Sequence, residues 1–157
     1  MQAKKLKYKE YLEKYKNCPT SDFIEVERDA FRWTGTDVSL EDFIPVNIKR
    51  KPSARILDDS DKMCMAYGLS MFDTLNNALK KYIKLYKKQR IHQQEHFKQD
   101  KGTKIAMINL TKNDGIADLP NKNNFGHFTF HEYKETNLVG KISDLYSVFK
   151  SNGDFNI

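Results

Sequence analysis

The sequence predicts an α+β fold: a single domain over residues 1–157 with a small mixed or antiparallel sheet, one long amphipathic helix at about 74–90, and shorter N- and C-terminal helices. Three observations carry this reading. Leu75, Ala78, Leu79, Tyr82, Ile83 and Tyr86 recur at helical spacing and form one apolar stripe. Two short apolar runs, "KIAMINL" at 104–110 and "FGHFTFHEY" at 125–133, are bounded by polar and turn-forming residues, as strands are. A chain of 157 residues suits one domain and is long enough to bury a core.

The elements follow in order. Leu6, Tyr8, Tyr11, Leu12 and Tyr15 are spaced for an amphipathic helix, so residues 1–18 read as a basic helix that stands apart from the rest. Pro19 ends it. "DFIEVERDAFRWTG", 22–35, is aromatic and β-branched enough to place a strand in part of it, with Gly35 as a stop. "SLEDF" predicts a helical turn capped by Ser39, with Asp42 three residues on. Residues 47–62 are polar and contain proline, and read as a long loop. Residues 64–72 read as a strand feeding the long helix, with Gly68 allowing close backbone approach. Asp73 or Thr74 caps that helix, and Lys87, Lys88 and Arg90 suit its C-terminal end. After 104–110, a turn falls at Asn113–Gly115. "TNLVGKI" reads as a further strand, and "SDLYSVFK" as a short helix capped by Ser143.

Composition excludes several classes. Apolar residues make up 39% and charged residues 31%, which is a folded and not a disordered composition. No apolar run is long enough to span a bilayer, and the N-terminal segment lacks the apolar core of a secretory signal. Cys18 and Cys64 are the two cysteines; they form no zinc ribbon and are expected to be reduced thiols of a cytoplasmic protein. There is no G-x-S-x-G elbow to support a serine hydrolase, and no zinc finger or aromatic RNA-binding pattern.

The net charge of +6 is unevenly spread. Residues 1–17 hold six Lys against two Glu, and residues 76–104 hold nine Lys or Arg against Glu95 and Asp100. Such a surface meets nucleic acid, a nucleotide or an acidic protein, or else is simply a solvated helix face. The candidate partner-binding residues are Lys80, Lys84, Lys87, Lys88 and Arg90 on the face opposite the apolar stripe. The first functional expectation is therefore a non-catalytic accessory protein that binds nucleic acid or an acidic protein partner, with no membrane partner and no cofactor.

A second expectation concerns a cleft. Ser70 is the only hydroxyl in its apolar run and stands just before a helix N-terminus; it either faces a cleft or satisfies a backbone group. In an extended 127–133, His127, Thr129, His131 and Tyr133 share one face and Phe128 and Phe130 the other. His127 and His131 would then stand roughly 13 Å apart, too far for one metal, so no metal ligands are assigned. His127 suits acid, base or phosphate-contact chemistry, or the row is an ordinary solvated sheet face. Glu132 falls on the Phe face and needs a partner there. Arg32, set between Phe31 and Trp33, suits a bidentate phosphate or carboxylate contact, or pairs with Glu25 or Glu27.

The stretches "YGLSMFDT…NALKKY" and "GHFTFHEY" resemble a group of small bacterial proteins, over roughly residues 31–142. The order Arg32, Ser70, Glu132 on successive strands is similar to that of mono-ADP-ribosyltransferases. This chain has Leu-Ser-Met where those enzymes carry Ser-Thr-Ser, and its Glu lacks the usual Glu/Gln-x-Glu company. The resemblance implies an alternative, a nucleotide-binding enzyme or toxin using NAD. Arg32 would then contact cofactor phosphate or ribose, Ser70 would shape the nicotinamide pocket, and Glu132 would stabilise positive charge on the ribose. Arg32, Ser70, His127 and Glu132 are the candidate catalytic residues of that reading.

Overall fold

The two runs that read most clearly as strands do lie in one sheet. The computed structural model describes residues 4–157. Its strands are β1 (Ile24–Glu25), β2 (Arg28–Thr34), β3 (Leu69–Phe72), β4 (Lys104–Leu110), β5 (Gly115–Ala117), β6 (His127–Glu132) and β7 (Ile142–Ser147). They form one antiparallel sheet in the order β1-β5-β6-β3-β2-β4-β7. The helices are α1 (Lys9–Leu12), α2 (Val46–Lys49), α3 (Ser60–Met65), α4 (Leu75–Lys88) and α5 (Gln94–Lys101). The α+β class, the antiparallel sheet and the long helix therefore stand as the sequence predicts.

Alternation along the strands builds two apolar faces. Ala30, Leu69, Met71, Ala106, Ile108, Phe128 and Phe130 pack on one side, with Phe43 and Leu138 over them. Phe31, Phe72 and Ile105 pack on the other, beneath Ala78 and Tyr82 of α4 and Phe97 of α5. Tyr82 is fully buried, and its hydroxyl donates to the Gly102 carbonyl at 2.7 Å. That bond satisfies the one polar atom that the helix stripe takes into the core.

Capping matches the sequence at two places. The Thr74 side chain accepts from the Asn77 N–H and starts α4, and Lys87 and Lys88 close it. Ser39 and Asp42 form a reciprocal capping box around the 3-10 turn Leu40–Phe43. Gly68 makes the close approach expected of it: a Cβ there would lie 2.6 Å from the Thr129 methyl carbon.

Six expectations are corrected. The segment before Gly68 is α3 and not strand; Asp59 caps it by accepting from the Lys62 N–H, and β3 begins only at Leu69. The polar stretch 47–62 accordingly carries most of α2 and the start of α3. The segment expected to be a C-terminal helix is β7, which pairs with β4, while the expected strand "TNLVGKI" contains the 3-10 turn Val139–Lys141. Without β7, the β4 edge would be left unpaired, and this tertiary demand overrides local preference.

Of the helix expected over 1–18, residues 1–3 lie outside the described residues and the rest forms one helical turn, Lys9–Leu12. The backbone before that turn continues the sheet, with the Lys7 N–H donating to the Glu132 carbonyl and the Lys134 N–H to the Lys5 carbonyl. Finally, Cys18 and Cys64 form a disulfide with Cα atoms 5.7 Å apart, so the expectation of reduced thiols is overturned. It ties the N-terminal segment to α3. Their separation of 46 residues gave no spacing signal in the sequence. Among the described residues, no helix is long and apolar enough to cross a membrane.

Candidate functional site

The site forms where β2 and β3 part. Their one registered pair is Phe31 with Phe72. No further β2–β3 pair is registered beyond it, on the side where Ser70 lies. There the Arg32 Nη1 donates to the Ser70 carbonyl at 2.8 Å and Nε to the Asp42 carbonyl at 2.7 Å. The guanidinium is thus pinned by two backbone groups rather than by Glu25 or Glu27. Burial pushes its pKa down to about 10, against the opposing pull of Asp42 and Glu132, so it stays charged at neutral pH.

Ser70 sits on the floor of the resulting cleft, which measures about 450 Å³. The Ser70 hydroxyl and His127 Nε2 are hydrogen-bonded at 2.5 Å. Register explains the meeting: Ser70 is paired with Thr129 and Phe72 with His127, so Ser70 and His127 are diagonal neighbours on one sheet face. Burial lowers the His127 pKa; Asp118 opposes this and the Lys81 cation adds to it. The neutral imidazole is therefore favoured, and an anion in the cleft would favour the charged form instead.

Cations ring the opening. Lys81 of α4, Lys49 of α2, and Arg50 and Lys101 line it. Arg50 and Lys101 share Asp100, at 2.9 and 3.4 Å. Lys81 and Lys49 have no carboxylate within salt-bridge distance among the described residues. Burial, then Lys84 and Lys88, lower the Lys81 pKa. The apolar wall comes from Trp33 and Phe72, which stack 5.1 Å apart, and from Ile44, Pro45 and Met65.

Of the four candidate catalytic residues, three converge here: Arg32, Ser70 and His127 all line the cleft. Glu132 does not. It lies on the opposite sheet face with Phe128 and Phe130, buried beneath the N-terminal segment, with Lys7 Nζ at 3.4 Å. Burial raises its pKa against the pull of Lys7 and Arg32. The polar row on β6 is also divided: His127 reaches the cleft, but His131 is buried against Phe23 and its pKa is pushed down to about 4 by burial alone. Among the described residues, no group of three or more His, Cys, Asp or Glu side chains is placed to hold a metal.

The candidate binding residues Lys80, Lys84, Lys87, Lys88 and Arg90 are all exposed, and none has a carboxylate within salt-bridge distance among the described residues. Lys81 and Lys84 both stand over the Phe125 ring, at 5.6 and 5.4 Å from its centroid, and Lys87 stands over Phe155 at 5.8 Å. Sequence reasoning missed Lys81, Lys49 and Trp33 as site residues. Helical spacing does not separate Lys81 from its neighbours Lys80 and Lys87 on the flanks of the apolar stripe, so the sequence held no signal for it. Lys49 was missed because its helix was read as loop. A larger hollow of about 900 Å³ is lined by Lys4, Lys5, Lys134 and Lys141; Lys4 pairs with Glu25, and the buried Asp114 is taken by Thr111 and Lys141.

Comparison with protein-family models, curated proteins and solved structures finds no match to this chain.

Proposed function

We propose that the protein is a non-catalytic accessory that binds nucleic acid through the cationic face of α4. The observation that carries this reading is that Lys80, Lys84, Lys87, Lys88 and Arg90 are exposed together without acidic partners among the described residues. Like charges at i, i+4, as in Lys80–Lys84 and Lys84–Lys88, cost a helix about 0.2–0.5 kcal/mol per pair, which offsets part of what Lys87 and Lys88 contribute at the C-terminal end and what Lys84 and Lys87 contribute over the aromatic rings. A phosphate backbone would gain from the whole face through counterion release. The half-buried Phe125 and Phe155 rings among the lysines add surfaces on which bases stack. Neither ring needs a base-reading motif for this, so the expected binding is tolerant of sequence.

The ADP-ribosyl-transfer alternative draws on Arg32 and Ser70 in the cleft, but Glu132, which would have to stabilise charge on the ribose of NAD, is on the other sheet face. The deciding experiment is fluorescence anisotropy of labelled single-stranded oligonucleotides with the full chain. Binding should weaken steeply with salt, and Lys80→Gln/Lys84→Gln/Lys87→Gln should weaken it strongly. An oligonucleotide that fails to bind at low salt refutes the reading and leaves an acidic protein as the partner to seek.

A further inference from the structure

We propose that the cleft between β2 and β3 is a binding site for a nucleoside monophosphate, with the phosphate on Arg32, Ser70, His127 and Lys81 and the nucleoside against the apolar wall. The inference is independent of the α4 surface, whose exposed lysines do not line the cleft.

Four features point to an anion at the floor. Arg32 is held by two backbone carbonyls, and its remaining N–H donors have no protein acceptor among the described residues. A guanidinium fixed in this way loses little entropy when it binds a phosphate, and its planar fork matches phosphate oxygens. The Ser70 hydroxyl is exposed on the floor beside His127. Lys81 is unpaired and half-buried. The nearby acids are already engaged: the Asp42 carboxylate accepts from the Gly35 and Ser39 N–H groups while still attracting Arg32, and Asp100 is shared by Arg50 and Lys101.

The rest of the cleft suits a nucleoside. Trp33 is fixed by donation from Nε1 to the Ala78 carbonyl and stacks on Phe72. Met65 and Val46 at the lip are 45% and 47% exposed, apolar surface that the core leaves uncovered. Glu41 at the lip offers a carboxylate without a cation in reach among the described residues, suited to ribose hydroxyls. A volume of about 450 Å³ lies in the range of small-molecule sites, roughly 300–1,000 Å³.

The test is isothermal titration and thermal shift of the full chain with AMP, GMP, CMP and UMP, with inorganic phosphate and adenosine as separate arms. At least one nucleotide should bind and raise the Tm. Ser70→Ala and Lys81→Met should each weaken it tenfold or more, while Lys80→Gln/Lys84→Gln/Lys87→Gln leaves it unchanged and strongly weakens oligonucleotide binding. The unliganded Tm of each variant reports its folding, and the His127 ring signals, followed by NMR in the unsubstituted protein, should move on nucleotide addition. The proposal is overturned if no nucleotide at millimolar concentration shifts the Tm or the His127 signals. It is equally overturned if inorganic phosphate binds as tightly as the nucleotide, or if the α4 triple variant loses nucleotide while Ser70→Ala and Lys81→Met keep it.

Discussion

The Ser70 hydroxyl and His127 Nε2 meet at 2.5 Å across two adjacent antiparallel strands, beneath a lysine that carries no acidic partner among the described residues. The Lys81 cation and burial both disfavour the imidazolium. An NMR titration of the His127 ring should therefore give a pKa below the ordinary 6.5. Lys81→Met should raise it, since the substitution removes a like charge. A value at or above 6.5 in the unsubstituted protein, or a fall in the variant, would show that the cleft field is not the one described.

His131 predicts acid sensitivity. Its pKa is about 4 in the folded protein against 6.5 in the open chain, so between those values the unfolded state binds the extra proton. Stability conferred by the neutral ring is complete above pH 6.5 and is lost as pH falls toward 4. One pKa unit corresponds to 1.36 kcal/mol, so urea denaturation at pH 7.5 and pH 5.0 should differ by about 2 kcal/mol. Glu132 acts in the opposite sense, because its raised pKa lets the folded state take up a proton first. His131→Phe, which keeps a ring against Phe23, should remove most of the difference. If the variant shows the same acid loss, other groups cause it.

The Lys7–Glu132 pair sets a different asymmetry. The Glu132 side chain is 3% exposed and that of Lys7 35%. Removing the cation leaves a buried carboxylate alone, whereas removing the charge from the acid leaves a lysine that reaches water. Lys7→Met should therefore cost about 1–3 kcal/mol at pH 7 and less at pH 5, where Glu132 protonates more easily. Glu132→Gln should stay within about 1 kcal/mol of the parent. Equal losses in the two variants, read from chemical denaturation, would contradict this account.

What the sequence made legible was what local periodicity encodes. The α4 stripe, the β4 and β6 runs and the Ser39–Asp42 box all stand. Three of four candidate catalytic residues share the cleft because strand alternation placed Ser70 and His127 on polar faces that the register then joined. What failed was set by long-range partners. β7 is a strand because β4 needs one, and residues 4–8 run along the end of β6 instead of coiling. Glu132 left the cleft for the same reason of alternation that its face had announced, one step from His131.

The disulfide yields a stability prediction. Cys18 and Cys64 close a loop with a separation of 46 residues, and chain-entropy reasoning assigns such a link about 4 kcal/mol. Cys64 belongs to α3, whose last residue, Met65, lines the cleft. Reduction should thus lower stability by about 2–4 kcal/mol and loosen both the N-terminal segment and one cleft wall. Mass spectrometry after alkylation without reductant should find both thiols protected. Two alkylated cysteines in protein folded under oxidising conditions would rule the link out.

The α4 face predicts a salt dependence with a defined slope. For single strands, log K falls against log salt with a slope of about −0.7 per phosphate neutralised. Replacing Lys80, Lys84 and Lys87 by Gln removes three of these contacts at most, so the slope should become shallower by about 2 units. The same triple change removes the repulsions of Lys80–Lys84 and Lys84–Lys88 but also the contacts of Lys84 and Lys87 with the Phe125 and Phe155 rings and the charge of Lys87 at the helix end, so stability should change by no more than a few tenths of a kcal/mol. A loss of affinity with stability unchanged distinguishes a binding surface from a face that serves the fold. A variant that loses both affinity and stability would mean that these lysines support α4 itself, and the surface reading would fall with it.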